Sequence, residues 1–451
     1  MQEEGFFQRA TQYIFRAFLF LLPFQTIWIY RSVVLEGAKW QYGTLGFYGT
    51  ELLLWLGVVC YMVWYLQQRK IFSSEVNFSW TKDRIFLSVC LAFLIYSFVS
   101  IGWAFDPNLA FQYSLWLMEA VLLISILISG PFDSNELILW FTGGGVLQAL
   151  LAIFQFATQS TFALDLLGMS SQPIIASGTS VIEGGRIGRW LRAYGSFPHP
   201  NMLGGYLSFV VISLISAVSV RDFEFKYEKI IISITLMILA AGVFVSFSRA
   251  AWLVLIVTLI FTCFHVFFHN KAHSNKVTDS VIVTTVLFII LVVVSFPLVE
   301  TRLSISSSTE VRSVTQRMSG IALAGAVLED HTLLGVGANN YTAALIDKIP
   351  GEPGWFYQPV HNSFLLFLVE FGLVGTLLLI AAVIAWYYFM FHRKVIHPDD
   401  AFYLSLIIFA VFILGNLDHY LASSFVGIMM LSTVIGLFSR IHTQRVLDDL
   451  T

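Results

Sequence analysis

About twelve runs of roughly 18 or more mostly apolar residues divide the chain, near 12–30, 47–66, 85–103, 109–129, 137–158, 201–220, 230–247, 251–268, 281–299, 363–391, 401–417 and 422–438. About 20 apolar residues in a helix cross the hydrocarbon core of a bilayer. Inside lipid, only helices and closed barrels satisfy every backbone N–H and C=O. Runs this long and unbroken therefore predict an all-α polytopic membrane protein, a single integral membrane domain over 1–451. Composition agrees, with 57% hydrophobic residues, 12% charged residues and a mean hydropathy of +0.78, which exclude a water-soluble globular chain. A net charge of −3 offers no basic surface for nucleic acid. The first run lacks a small-residue cleavage site and is followed by further spans, so it reads as a retained helix. Cys60, Cys90 and Cys263 each fall inside an apolar run, as small buried hydrophobes rather than disulfide partners or thiol metal ligands.

The basic residues set the orientation. With the N-terminus in the cytoplasm, the inside segments collect fifteen of the 25 Lys and Arg, from Arg9 and Arg16 to Arg440 and Arg445. The positive-inside rule thus places both termini there. Most of the others cluster on the opposite face. Arg186, Arg189 and Arg192 follow the fifth span, Arg249 stands in the short turn between the seventh and eighth, and Arg302, Arg312, Arg317 and Lys348 lie before the tenth.

Two outer segments, 159–200 and 300–362, are too long to be mere turns. In the second, Val314, Met318, Ile321, Gly325 and Leu328 follow a 4-3-4-3 spacing that predicts an amphipathic helix over 313–329, either on the membrane surface or capping a cavity. It would end at the turn "LLGVGANN".

Three short stretches carry candidate chemistry. "RIGRWLRAYGSFPHPN", 186–201, sets three arginines at the membrane rim; guanidinium forks suit a phosphate or pyrophosphate, and they equally suit snorkelling to headgroups. In "SFSRAAW", 246–252, the turn is so short that Arg249 must sit at the interface, where it needs a partner or a polar cavity. "VHNSFLLFLVEFGLVG", 360–375, opens with His361 and Asn362. An imidazole can serve as a general base, and the same pair can simply cap a helix. Glu370, two turns on, requires an arginine partner, a proton or a polar cavity. His199, His331 and His419 also face outward without a comparable neighbourhood, and Glu329-Asp330-His331 reads as a helix end rather than a metal site. Zinc-protease, Walker and nucleophile-elbow signatures are absent.

Taken together, "RAYGSFPHPNMLGGYL", "SFSRAAWL", "QRMSGIALAGAVLEDHTLLGVGANNY" and "HNSFLLFLVEFGLVG" resemble, in order, spacing and sidedness, the O-antigen ligase and polymerase superfamily of bacterial inner-membrane glycosyltransferases. The resemblance covers about 186–380, and Thr332 stands where the family pattern usually has proline. It implies a GT-C-type, metal-independent inverting transferase without a cofactor, acting on the periplasmic face on a glycan carried by undecaprenyl pyrophosphate in the membrane lipid. Carried onto this sequence, it makes His361 the essential histidine, Arg249 and Arg317 the pyrophosphate arginines, and Arg192 a further phosphate contact. Arg189 and Asn362 would support these, and Glu370 would orient an arginine or His361. The single long outer segment before His361 inclines the reading to a ligase with a lipid A-core acceptor. The alternatives are a polymerase that extends a lipid-linked repeat, and a transporter of lipid-linked glycan, for which repeat symmetry and midplane polar breaks are not evident.

Overall fold

A computed structural model describes residues 5–71, 80–184, 187–220, 227–269, 274–304, 308–391 and 397–448. Arg186 and the basic positions 221, 226, 271, 393 and 394 lie outside these described residues, as does the side chain of Arg312. Eleven of the described helices are long and apolar enough to cross a membrane. The chain is an all-α polytopic membrane protein.

The first helix, α1 (Phe6–Leu21), packs against α2 (Gly49–Ile71) but is shorter than the run expected over 12–30, and it is not among the eleven. Pro23 follows its end, and beyond it the sequence changes character. Ile27, Trp28, Ile29, Tyr30, Val33 and Val34 are β-branched or aromatic, and they form β1 (Ile27–Leu35), antiparallel to β2 (Ala38–Tyr48). Glu36 and Gly37, both with positive φ, make the two-residue turn favoured in hairpins. This hairpin was absent from the sequence reading, because a run of branched apolar residues looks the same in a helix window as in a strand window.

The bundle continues with α3 (Trp80–Val99), α4 (Pro107–Ser129) and α5 (Ser134–Thr158). Asp106 caps α4 through the amides of Asn108 and Leu109, and its other oxygen pairs with Arg31, tying the hairpin to the bundle. A long connection then carries β3 (Val181–Gly184) and β4 (Gly188–Leu191), which pair antiparallel. Next comes α6 (Pro200–Val220), whose spanning window is wholly buried inside the protein. Its small residues let neighbours approach: a Cβ on Gly205 would lie 1.9 Å from the Tyr420 hydroxyl.

Around α6 stand α7 (Glu228–Val245), α8 (Arg249–His269) and α9 (Ser274–Val294), followed by three helices of the second long segment: α10 (Phe296–Leu303), α11 (Ser308–Asp330) and α12 (Tyr341–Lys348). The last spans are α13 (Ser363–Phe391), α14 (Pro398–Leu417) and, after the single turn of α15 (Tyr420–Ser423), α16 (Phe425–Asp448). The free cysteines lie in α2, α3 and α8.

α13 is broken at Gly372, with φ 62° and ψ −170°. A break inside lipid would strand backbone groups, and here the turn 332–337 satisfies them. Val336 and Gly337 donate to the carbonyls of Val369 and Glu370, while Leu373 and Val374 donate to Thr332 and Leu333, all at 2.9–3.1 Å. The Tyr96 hydroxyl reaches the carbonyls of Leu334 and Phe371, both at 2.9 Å. A Cβ on Gly372 would stand 2.3 Å from the Leu333 oxygen, in a backbone region that costs an L-residue about 1–3 kcal/mol before any clash. Gly372→Ala is therefore expected to lower the melting temperature in detergent by several degrees. Gly325→Ala, on a helix where an added Cβ meets nothing within 4 Å, should not lower it. Equal melting of the two variants would contradict this account of the break.

Candidate active site

The turn between α7 and α8 builds the first wall. Its residues Ser246, Phe247 and Ser248 are buried, and Phe247 is held at a positive φ that swings two carbonyls outward. The Ser246 carbonyl receives the Nε–H of Arg192 at 3.0 Å, and the Phe247 carbonyl receives that of Arg302 at 2.9 Å. One turn thus fixes two arginines from distant segments, both buried, and Arg249 stands at its far end as the first residue of α8.

The second wall is α11. Arg317, Gly320, Ala324 and Val327 recur at helical spacing on its inward side. Ala324 and Val327 are buried, Gly320 approaches Val360, and Arg317 faces a cavity of about 280 Å³ shared with Arg249, Arg302, Asn201, Ser248 and Asp418. The apolar stripe Val314, Met318 and Ile321 is exposed on the other side. Of the two options open at the sequence level, the packing gives the helix one face that covers the cavity and leaves its apolar stripe exposed on the other.

The third wall joins the arginines to the histidines. Arg192 donates to the Asn201 side-chain oxygen at 2.7 Å, and the Asn201 amide donates to Asp418 at 2.8 Å. Only this orientation of the amide satisfies both partners. The other Asp418 oxygen lies 3.4 Å from His361 Nδ1 and 3.9 Å from His419 Nε2, and the two imidazole rings stand 5.1 Å apart. At 3.4 Å the His361 nitrogen is within ion-pair reach of the carboxylate without hydrogen-bond geometry, and it has no other partner among the described residues. His419 is held by the Ser423 hydroxyl at 2.6 Å and meets the Tyr42 hydroxyl of β2 at 3.4 Å.

Electrostatics divide this site in two. Burial, and then mutual repulsion with neighbouring guanidinium groups, push Arg302 below the ordinary arginine value. Arg192 and Arg317 are also pushed down, by burial first, with Asp418 pulling back. Guanidinium groups stay protonated in proteins, so the cluster is a cationic hole whose charges an incoming anion would relieve. Burial alone would raise the Asp418 carboxyl, but the His361 contact, the largest effect opposing burial, holds it well below the carboxylate range. Burial and the charge of Arg192 push His199 down to about 3, and burial pushes His419 down to about 4 against the pull of Asp418, so both are neutral near pH 7.

Arg192, Arg249, Arg317 and His361 therefore come together. Arg189 does not join them: it lies on the β3–β4 ribbon, donating to the Ile174 carbonyl and 3.7 Å from Glu183. Asn362 is an N-cap, accepting the amides of Phe364 and Leu365 at 3.0 and 2.9 Å. The Glu370 carboxylate orients neither an arginine nor His361; it receives the Tyr341 amide at 3.5 Å and so ties the start of α12 to α13. Sequence reasoning did not name Asp418; it had Asn201 only inside a motif, Arg302 only in the basic cluster, and His419 only as a histidine set aside. Asp418 sits between two spans, and only the fold brings it 217 residues back to Asn201. His361, Asp418 and His419 each offer one ligand atom within 4.8 Å of the others, the set here with the chemistry to hold a divalent cation.

The family described as O-Antigen ligase matches residues 234–380, from α7 into α13, a range that contains Arg249, Arg302, Arg317 and His361 and excludes Arg192, Asn201 and Asp418. No curated protein matches the chain. With eleven apolar helices among the described residues, the chain is a multi-pass membrane protein whose residues 234–380 match the O-antigen ligase family.

Proposed function

We propose that the chain is an inverting glycosyltransferase that moves an O-antigen glycan from undecaprenyl pyrophosphate to a hydroxyl of a lipid A-core sugar. It works at the periplasmic face of a bacterial inner membrane, with both termini in the cytoplasm. The observation that carries this reading is the convergence of four arginines with the His361–Asp418 pair at one end of the bundle.

In this reaction the bond from the anomeric carbon to the pyrophosphate oxygen breaks as the acceptor oxygen attacks from the opposite side. Negative charge gathers on the leaving pyrophosphate, and Arg249, Arg302 and Arg317, with Arg192 behind them, stabilise it where it develops. His361 presents Nδ1 to Asp418, so Nε2 takes the acceptor proton, and the buried carboxylate stabilises the imidazolium that results. α11 carries Arg317 and covers the donor. The guanidinium groups supply the positive charge, so the reading requires neither metal nor cofactor.

Reconstitution tests it. Purified protein given undecaprenyl-pyrophosphate-linked glycan and lipid A-core should form the glycosylated core, with the rate unchanged by EDTA to within about twofold. Elongated lipid-linked glycan as the only product would replace the ligase with the polymerase. Loss of rate in EDTA, restored by a divalent cation, would overturn the arginine mechanism and direct attention to His361, Asp418 and His419 as ligands.

A further inference from the structure

A second outer cavity, of about 200 Å³, lies between the β1–β2 hairpin and the 159–199 connection. Its walls include Gln25, Gln41, Tyr48, Thr161, Gln172 and Tyr194, and none of its lining residues is charged. We propose that this cavity binds an uncharged sugar ring of the glycan acceptor, an inference that rests on the glycosyl-transfer reading above.

The lining sets the ligand's chemistry. Without a cation it does not attract phosphate, and its amides and hydroxyls are wasted on a lipid tail. Amides and hydroxyls offer donors and acceptors side by side, as sugar hydroxyls do, and aromatic rings give flat faces for the C–H side of a pyranose. Two of these groups are available. Neither the Gln41 amide nor the Tyr48 hydroxyl hydrogen-bonds any described residue, and the Tyr48 ring is fixed by stacking on Phe425 at 4.8 Å. A cavity of this volume suits a single ring rather than a chain of them.

Position sets the role. Gln41 precedes Tyr42, which meets His419 beside His361, and Pro198 precedes His199. The cavity thus lies on the hairpin side of the histidines, one residue along the chain from Tyr42 and His199 and sharing no lining residue with the arginine cavity, against which the donor's first sugar must sit. Since no histidine lines the cavity, a ring held there is a neighbour of the acceptor sugar whose hydroxyl His361 deprotonates, and it sets the acceptor's position. Every lining residue also lies outside 234–380, so acceptor choice would be carried by parts of the chain that the family domain does not include.

The test pairs Gln41→Ala with Tyr48→Phe in the full chain, changes that leave the exposed rim and the stacked ring in place. With whichever acceptor the wild type glycosylates, lipid A-core or lipid-linked repeat, two lost hydrogen bonds should raise the acceptor KM about tenfold. The donor KM and inhibition by undecaprenyl pyrophosphate should stay within about twofold. An unchanged acceptor KM, or a rise confined to the donor, overturns the proposal. Binding of detergent-solubilised lipid A-core without donor separates this idea from the enzymatic one. If the wild type binds core but transfers nothing, the glycosyltransferase reading fails, while weaker binding by the double variant upholds the subsite and equal binding overturns it.

Discussion

His361→Ala is expected to lower glycan transfer by about 10²- to 10⁴-fold, the range a positioned general base contributes. Affinity for undecaprenyl pyrophosphate should change little, since that product is held by arginines and not by the imidazole. Asp418→Asn should be milder, about 10- to 100-fold, because with a neutral amide 3.4 Å away the imidazolium formed on proton transfer loses its counter-charge. Stability gives an independent reading. The folded carboxyl titrates below its unfolded value near 3.9. Its contribution is therefore fully present above that pH and is lost as pH falls through the folded value. The melting difference between wild type and Asp418→Asn should be full at pH 7, begin to narrow only below about pH 4, and vanish well below it. Wild-type activity in His361→Ala would remove the base from the mechanism.

Much of this could be read from sequence because a membrane imposes a simple grammar. Eleven apolar runs became helices within several residues of their expected bounds, since length and hydropathy alone decide what crosses lipid. The hairpin was missed because its apolar start, Ile27–Tyr30, continues the first apolar run and looks alike as strand or helix. Arg249 and His361 stood out as polar residues set against apolar runs, while Arg317 was singled out only through the family resemblance. Asp418 was not, because its meaning depends on partners at 201 and 361 that only packing supplies. Glu370 showed the opposite failure: it stood out in sequence as a buried carboxylate, yet its partner is the backbone amide of Tyr341, at the start of a short helix absent from the sequence reading. Asn362 and His361 illustrate how two readings of one stretch can both hold, with the asparagine capping the helix and the histidine turned to Asp418.

Arg302 separates an electrostatic site from a generic basic patch. Its Nε–H is held by the Phe247 carbonyl, and its guanidinium lines the cavity with Arg249 and Arg317. Lysine has no Nε–H to give that carbonyl and presents a point charge rather than a fork. Arg302→Lys should therefore lose most of what Arg302→Ala loses, about 10²- to 10³-fold in kcat. Arg317→Ala should fall in the same range, with kcat falling more than donor KM rises, because the pyrophosphate carries more charge as it leaves than when it arrives. Arg189→Ala, whose side chain rests near Glu183 on the β3–β4 ribbon, should keep its rate to within about twofold. If Arg189 and Arg302 variants lose activity alike, or if Arg302→Lys is fully active, net positive charge at the outer rim is what matters and the fixed guanidinium geometry is not. If they part as expected, the turn at Ser246–Ser248 is a functional element, since its carbonyls are what aim both Arg192 and Arg302 at the donor.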